Sequence, residues 1–85
     1  MKSKIKSILK KTLSKSAKFN DKTDLIKKNY LDSFSLMVLI TSLEKEFKIK
    51  IELAKVDINS LSSINKIEKY IKKVNKKLNF FFKKF

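Results

Sequence analysis

Glycine and proline are both absent from this 85-residue chain, and so is cysteine. No position has glycine's freedom to enter left-handed backbone, so Asn and Asp must take the turns glycine would normally take. No disulfide can form either, which leaves the packing of apolar side chains as the only source of stability for a small core. At 10.0 kDa the chain makes one domain, with no room for a second.

The same absences narrow the chemistry. Without His or Cys there is no Ser-His-Asp or Cys-His nucleophile, no imidazole base and no thiolate or imidazole metal site. Without Gly there is neither a phosphate-binding P-loop nor a dinucleotide fingerprint. The chain is therefore expected to be no enzyme, with no catalytic and no metal-binding residues of its own.

Charge points in a different direction. Lys and Arg total 22 against 8 Asp and Glu, a formal net charge of +14, and every one of the 22 is Lys. A pI near 10.1 invites a nucleic-acid reading, because clustered Lys releases counterions from a phosphate backbone. Arg, the side chain best fitted to bidentate phosphate and base contacts, is missing. The Lys residues fall mainly on outward helical positions, so a solvated basic surface is the expectation. A small basic nucleic-acid-binding helical protein is the alternative. A hydrophobic content of 42% suits a globular chain. No stretch approaches the roughly 18 consecutive apolar residues of a membrane span. Met1 to Leu13 lacks the apolar block of a secretory signal, so the cytoplasm is the expected compartment.

Helical periodicity organises the chain. Ile5, Ile8, Leu9 and Leu13 mark one face of an amphipathic helix from Ser3 to about Ala17. Phe19 to Leu31 reads as a long loop that packs over the bundle, with turns at Asn20-Asp21 and Asn29. Leu36, Leu39, Ile40, Leu43 and Phe47 form a full core stripe for a second helix, with Asp32 or Ser33 as its N-cap. Ile49-Lys50-Ile51 alternates like a strand but is too short to count as one. A short third helix is placed within Ala54 to Leu61, capped at Asp57 or Asn59. Ser62 or Ser63 caps the last helix, whose core face is Ile64, Ile67, Ile71, Val74 and Leu78. The expected fold is an all-α, small four-helix bundle of three main helices and a short extra one.

Some apolar residues of the second helix fall outside its core. With Ser33 at zero on a helical wheel, the core stripe spans roughly 240° to 340°. Phe34, Met37, Val38 and Thr41 lie at about 100°, 40°, 140° and 80°. Ser33 thus opens a mostly apolar strip, and apolar surface outside a core hints at a partner. Phe34 could instead fold under the preceding loop, and Met37 could fill a gap. Ser33 itself could simply be the cap. The free amides and positive dipole end at a helix start would also suit a phosphodiester there.

Leu31-Asp32-Ser33-Phe34-Ser35-Leu36, followed by Val38-Leu39-Ile40 and the run Leu43 to Ile51, resembles the acyl carrier protein family. Its attachment motif is Asp-Ser before a large apolar residue, followed by a helix ending in a Leu-Glu-x-Glu-Phe-like segment. Leu61-Ser62-Ser63-Ile64, with Ile67, Tyr70 and Ile71, is similar to the family's entry into its final helix. The likeness covers about Ser3 to Val74.

The resemblance implies a four-helix carrier with no catalysis of its own. A phosphopantetheinyl transferase, using coenzyme A and Mg²⁺, would attach 4'-phosphopantetheine to Ser33. The arm's thiol would hold an acyl or aminoacyl thioester between a loading enzyme and an acceptor transferase, in lipid or secondary-metabolite synthesis. Asp32 would be the transferase's recognition residue, with Phe34, Met37, Val38 and Thr41 the partner-binding surface and a monomer the working state.

The sequence also departs from that family. Asn29-Tyr30-Leu31 stands where a Gly often precedes Asp-Ser, and Phe34 replaces the usual Leu. Carriers of fatty-acid synthesis bear carboxylates on the second helix. Here Ser35, Val38 and Lys45 occupy such outward positions, and only Glu44 and Glu46 keep the sign. Dedicated partners with a more apolar or acidic docking face are the expectation. The carrier domain is placed at 1–78, and 79–85 is an aromatic and basic tail. Phe80, Phe81, Phe82 and Phe85 would either cover the end of the bundle or anchor at a membrane surface or partner.

Overall fold

The computed structural model describes residues 1–13, 15–52 and 54–83, with side chains described as far as Val74. Three α-helices and one 3₁₀ turn make up its regular structure: α1 (Lys2–Thr12), α2 (Ser33–Phe47), the 3₁₀ turn (Ile58–Leu61) and α3 (Ile64–Lys83). Among the described residues there is no strand. α1 packs on both α2 and α3, and the 3₁₀ turn packs on α3. The apolar stripes meet as the spacing requires. Ile5 and Leu9 of α1, Leu39 and Leu43 of α2, and Ile64, Ile67 and Ile71 of α3 are all fully buried. Leu36, Phe47 and Val74 lie partly buried against them. Leu78 and the Phe residues of the C-terminal segment lie outside the described side chains, although the backbone of α3 continues through Lys83.

α1 is shorter than its periodicity suggests. α1 ends at Thr12 rather than near Ala17. The Thr12 hydroxyl donates back to the Ile8 carbonyl at 2.8 Å, and Leu13 leaves the helix in extended backbone while staying buried. Leu13 fills the last large core position of this face, and beyond it only the small Ala17 packs partly against the core, outside the helix. The short helix placed within Ala54 to Leu61 is a four-residue 3₁₀ turn, Ile58–Leu61. Asp57 caps it by accepting from the Asn59 amide at 3.0 Å.

Turns that glycine would usually make are built from side chains. Asn20 Oδ1 accepts from the Lys22 amide at 2.9 Å, and the Thr23 hydroxyl accepts from the Asn20 amide at 2.8 Å. Asp24 Oδ1 accepts from the Ile26 and Lys27 amides. Two non-glycine residues sit in left-handed backbone, Asn29 (φ 58°) and Lys48 (φ 53°). Asn adopts that region readily, whereas Lys does so at a cost in energy. The loop packs over the bundle as expected. Leu25 is fully buried and its amide donates to the Ser62 carbonyl at 2.7 Å. The Asn65 amide donates to the Asp21 carbonyl at 3.1 Å, tying the loop to the first turn of α3. Ile49 and Ile51 are buried without forming a strand.

Candidate functional site

Whether Ser33 is the cap or lies inside the helix decides what its hydroxyl can do. Asp32 is the cap: its backbone is extended, and its Oδ1 accepts from the Ser35 amide at 2.7 Å. The Leu36 amide donates to the Asp32 carbonyl at 2.8 Å, closing the first turn. Ser33 is therefore the first helical residue, solvent-exposed, and its hydroxyl makes no hydrogen bond among the described residues. The Ser35 amide also holds the Asp32 carboxyl below the usual carboxylate range. A carboxylate so occupied is a weak base, and it faces the helix backbone.

The surface beside Ser33 is apolar. Phe34 is 77% exposed, Met37 49% and Val38 37%. Phe34 is thus not folded under the loop, and Met37 does not fill a core gap. Thr41 is exposed on the same side, with its hydroxyl bonded to the Met37 carbonyl at 2.9 Å. Ile58, at the start of the 3₁₀ turn, is also exposed at 46%. Its exposure was not legible from sequence, because a four-residue turn carries too little periodicity to assign a face.

No charged residue occurs between Ser33 and Leu43. The two carboxylates that follow are committed to holding the fold. Glu44 Oε2 accepts from the Ile51 amide at 3.1 Å, and the Glu44 carbonyl accepts from the Ile49 amide at 3.2 Å. Glu46 pairs with Lys4 of α1 at 3.5 Å. The other carboxylates are similarly occupied. Asp21 pairs with Lys2 and Lys6 of α1 at 3.7 and 3.3 Å. Its Oδ1 is shielded from solvent and has the Lys6 ammonium, not a formal hydrogen bond, as its partner. Asp24 and Asp57 cap turns, and Glu52 and Glu68 pair with Lys55 and Lys72. Each of the eight acidic residues thus has a local structural partner, and Glu46 alone of the α2 carboxylates is exposed, more than two turns from Ser33.

Among the described residues there is no cluster of three His, Cys, Asp or Glu able to hold a metal ion, and no helix long and apolar enough to cross a membrane. A covalent phosphodiester fits the start of α2: an exposed and unbonded hydroxyl at the positive end of a fifteen-residue helix, with no side chain covering it. No curated protein and no solved structure matches the chain. The family model described as "Phosphopantetheine attachment site" matches residues 3–71, a span that includes α1 from its second residue, all of α2, the 3₁₀ turn and the start of α3. The chain belongs to that family of phosphopantetheine carriers, whose prosthetic group is covalently attached 4'-phosphopantetheine.

Proposed function

We propose that Ser33 bears the phosphopantetheine arm and that the protein carries an acyl or aminoacyl group to dedicated partner enzymes in the cytoplasm. The observation that carries this reading is the division of labour at the start of α2. Asp32 takes the capping role, so the Ser33 hydroxyl is exposed and unbonded beside an uncharged apolar strip.

Attachment needs little from this chain beyond that placement. The Ser33 oxygen forms a bond to the β-phosphorus of coenzyme A as the diphosphate P–O bond breaks and adenosine 3',5'-bisphosphate leaves. Mg²⁺, held by the transferase and coenzyme A, would supply the neutralisation of the departing charge. The base that takes the hydroxyl proton belongs to the transferase, because Asp32 is held by the Ser35 amide and the chain has no His. Once attached, the arm supplies the thiol that this Cys-free chain lacks. Phe34, Met37, Val38 and Thr41 then offer partners an apolar contact, with no carboxylate to steer a basic docking face.

Two measurements test this. Incubation with coenzyme A, Mg²⁺ and a broad-specificity phosphopantetheinyl transferase should add one phosphopantetheine to the native chain and none to Ser33→Ala. The loaded carrier should be a poor substrate for a fatty-acid elongation enzyme whose docking patch is basic. Full turnover by that enzyme would refute the dedicated-partner reading while leaving the attachment site untouched.

A further inference from the structure

A second surface shares no residue with the strip beside Ser33. The segment 50–60 and one face of α3 enclose an open groove of about 810 Å³. Lys66, Lys69 and Lys73 recur at i, i+3 and i+7 on α3, which places them within roughly 60° on one side of the helix. Lys50 faces the same groove from the chain segment after α2. All four are exposed, and among the described residues none has an ion pair within 4 Å. Two carboxylates, Glu52 and Asp57, line the groove against five Lys, since Lys55 lines it too, and the Asp24 carboxylate feels the Lys66 charge. Glu52 is paired with Lys55 at 3.3 Å, and Asp57 caps the 3₁₀ turn.

Between the lysines the wall is apolar. Val56, Tyr70 and Val74 line the groove and are half-buried against the core. A basic rim over an apolar wall has a specific complement. Bare phosphate backbone would satisfy the rim and leave the wall uncovered, and Arg, the better phosphate ligand, is absent. An amphipathic polypeptide bearing Asp or Glu beside Leu, Ile or Phe would satisfy both.

We propose that this groove binds an acidic, amphipathic segment of a partner protein, tethering the carrier to its enzyme separately from the contact made at Ser33. The assignment does not depend on which serine bears the arm. It divides recognition in two: the groove provides long-range, salt-sensitive attraction, and the strip on α2 provides short-range apolar fit.

The test uses the full chain and a fluorescent helical peptide of about sixteen residues, with Glu on one face and Leu on the adjoining one. Binding should weaken at least about tenfold in the Lys66→Gln/Lys69→Gln/Lys73→Gln variant, and again as salt rises from about 50 to about 300 mM. The Lys10→Gln/Lys15→Gln/Lys28→Gln variant, with the same change in charge elsewhere, should bind as the native chain does, and so should Ser33→Ala. A peptide with Ser in place of Leu should bind at least about tenfold more weakly. On the native chain, peptide-induced NMR shifts should fall on residues 50–60 and 66–74, a readout that needs no variant to fold. Equal weakening in both triple variants would overturn the proposal in favour of diffuse net charge. Tighter binding of an oligonucleotide or of vesicles rich in phosphatidylserine would overturn it in favour of those partners.

Discussion

Lys48 caps the C-terminus of α2 at φ 53°, ψ 46°, a conformation that brings its Cβ close to its own carbonyl. Its amide donates to the Glu44 carbonyl, which also accepts from Ile49 at 3.2 Å, so the cap is well bonded. Lys48→Gly removes the Cβ clash, a gain of about 1–2 kcal/mol. It also frees the unfolded chain, a loss of about 0.5–1 kcal/mol. At the midpoints of these ranges the net is a stabilisation of about 0.75 kcal/mol, which for a domain of this size raises Tm by about 3–6 °C. Thermal unfolding followed by circular dichroism at 222 nm reads the shift. Lys50→Gly is the control, since Lys50 is not among the residues at positive φ and the same substitution there should lower Tm. A Lys48→Gly chain that melts at or below the native temperature would refute the argument, because the left-handed backbone would then cost Lys nothing.

Further outcomes follow from burial and capping. Leu39 is fully buried, so Leu39→Ala should cost about 2–5 kcal/mol in chemical denaturation. Its neighbour Val38 is partly exposed, and Val38→Ala should change stability by less than about 0.5 kcal/mol while weakening partner binding. Asp24 and Asp32 are both held below the ordinary carboxylate value of 3.8, by the Lys27 and Ser35 amides respectively. Their stabilising contribution is present above 3.8 and is lost as pH falls through the lowered folded-state values. Asp32→Asn should keep the cap and Tm at neutral pH but soften the acid transition seen by circular dichroism, whereas Asp32→Ala should lose the cap and melt several degrees lower. Burial, with the Glu52 charge, raises the Tyr70 phenol above 10.0, so the native chain should lose stability above pH 10 and Tyr70→Phe should lose less.

Long stripes were legible in the sequence. Leu36 to Phe47 and Ile64 to Ile71 predicted their helices and core faces, because several turns of repeating burial outweigh local preference. The strip was legible in part for the same reason: fixing the core face of α2 puts Phe34, Met37 and Val38 outside it, but the sequence left open that Phe34 folds under the loop and Met37 fills a gap. α1 was read too long, since Lys15 to Ala17 are acceptable helix residues and the extended backbone at Leu13 carries no mark in the sequence. Lys48 gave no signal, because nothing in a Lys side chain marks left-handed backbone. The cap was ambiguous between Asp32 and Ser33, as two good capping residues in succession must be, and backbone geometry alone separates them. The basic groove was hidden for a different reason. Lys50 and Lys66 to Lys73 are separated in sequence, and only the fold brings them to one groove.

The central claim is that capping by Asp32 leaves Ser33, and not its neighbour Ser35, to carry the arm. After transferase treatment, proteolysis and fragmentation mass spectrometry of the native chain should place the phosphopantetheine on Ser33. Ser33→Ala should stay unmodified and Ser35→Ala should be modified as fully as the native chain. An adduct on Ser35, or one that survives Ser33→Ala, would contradict the account.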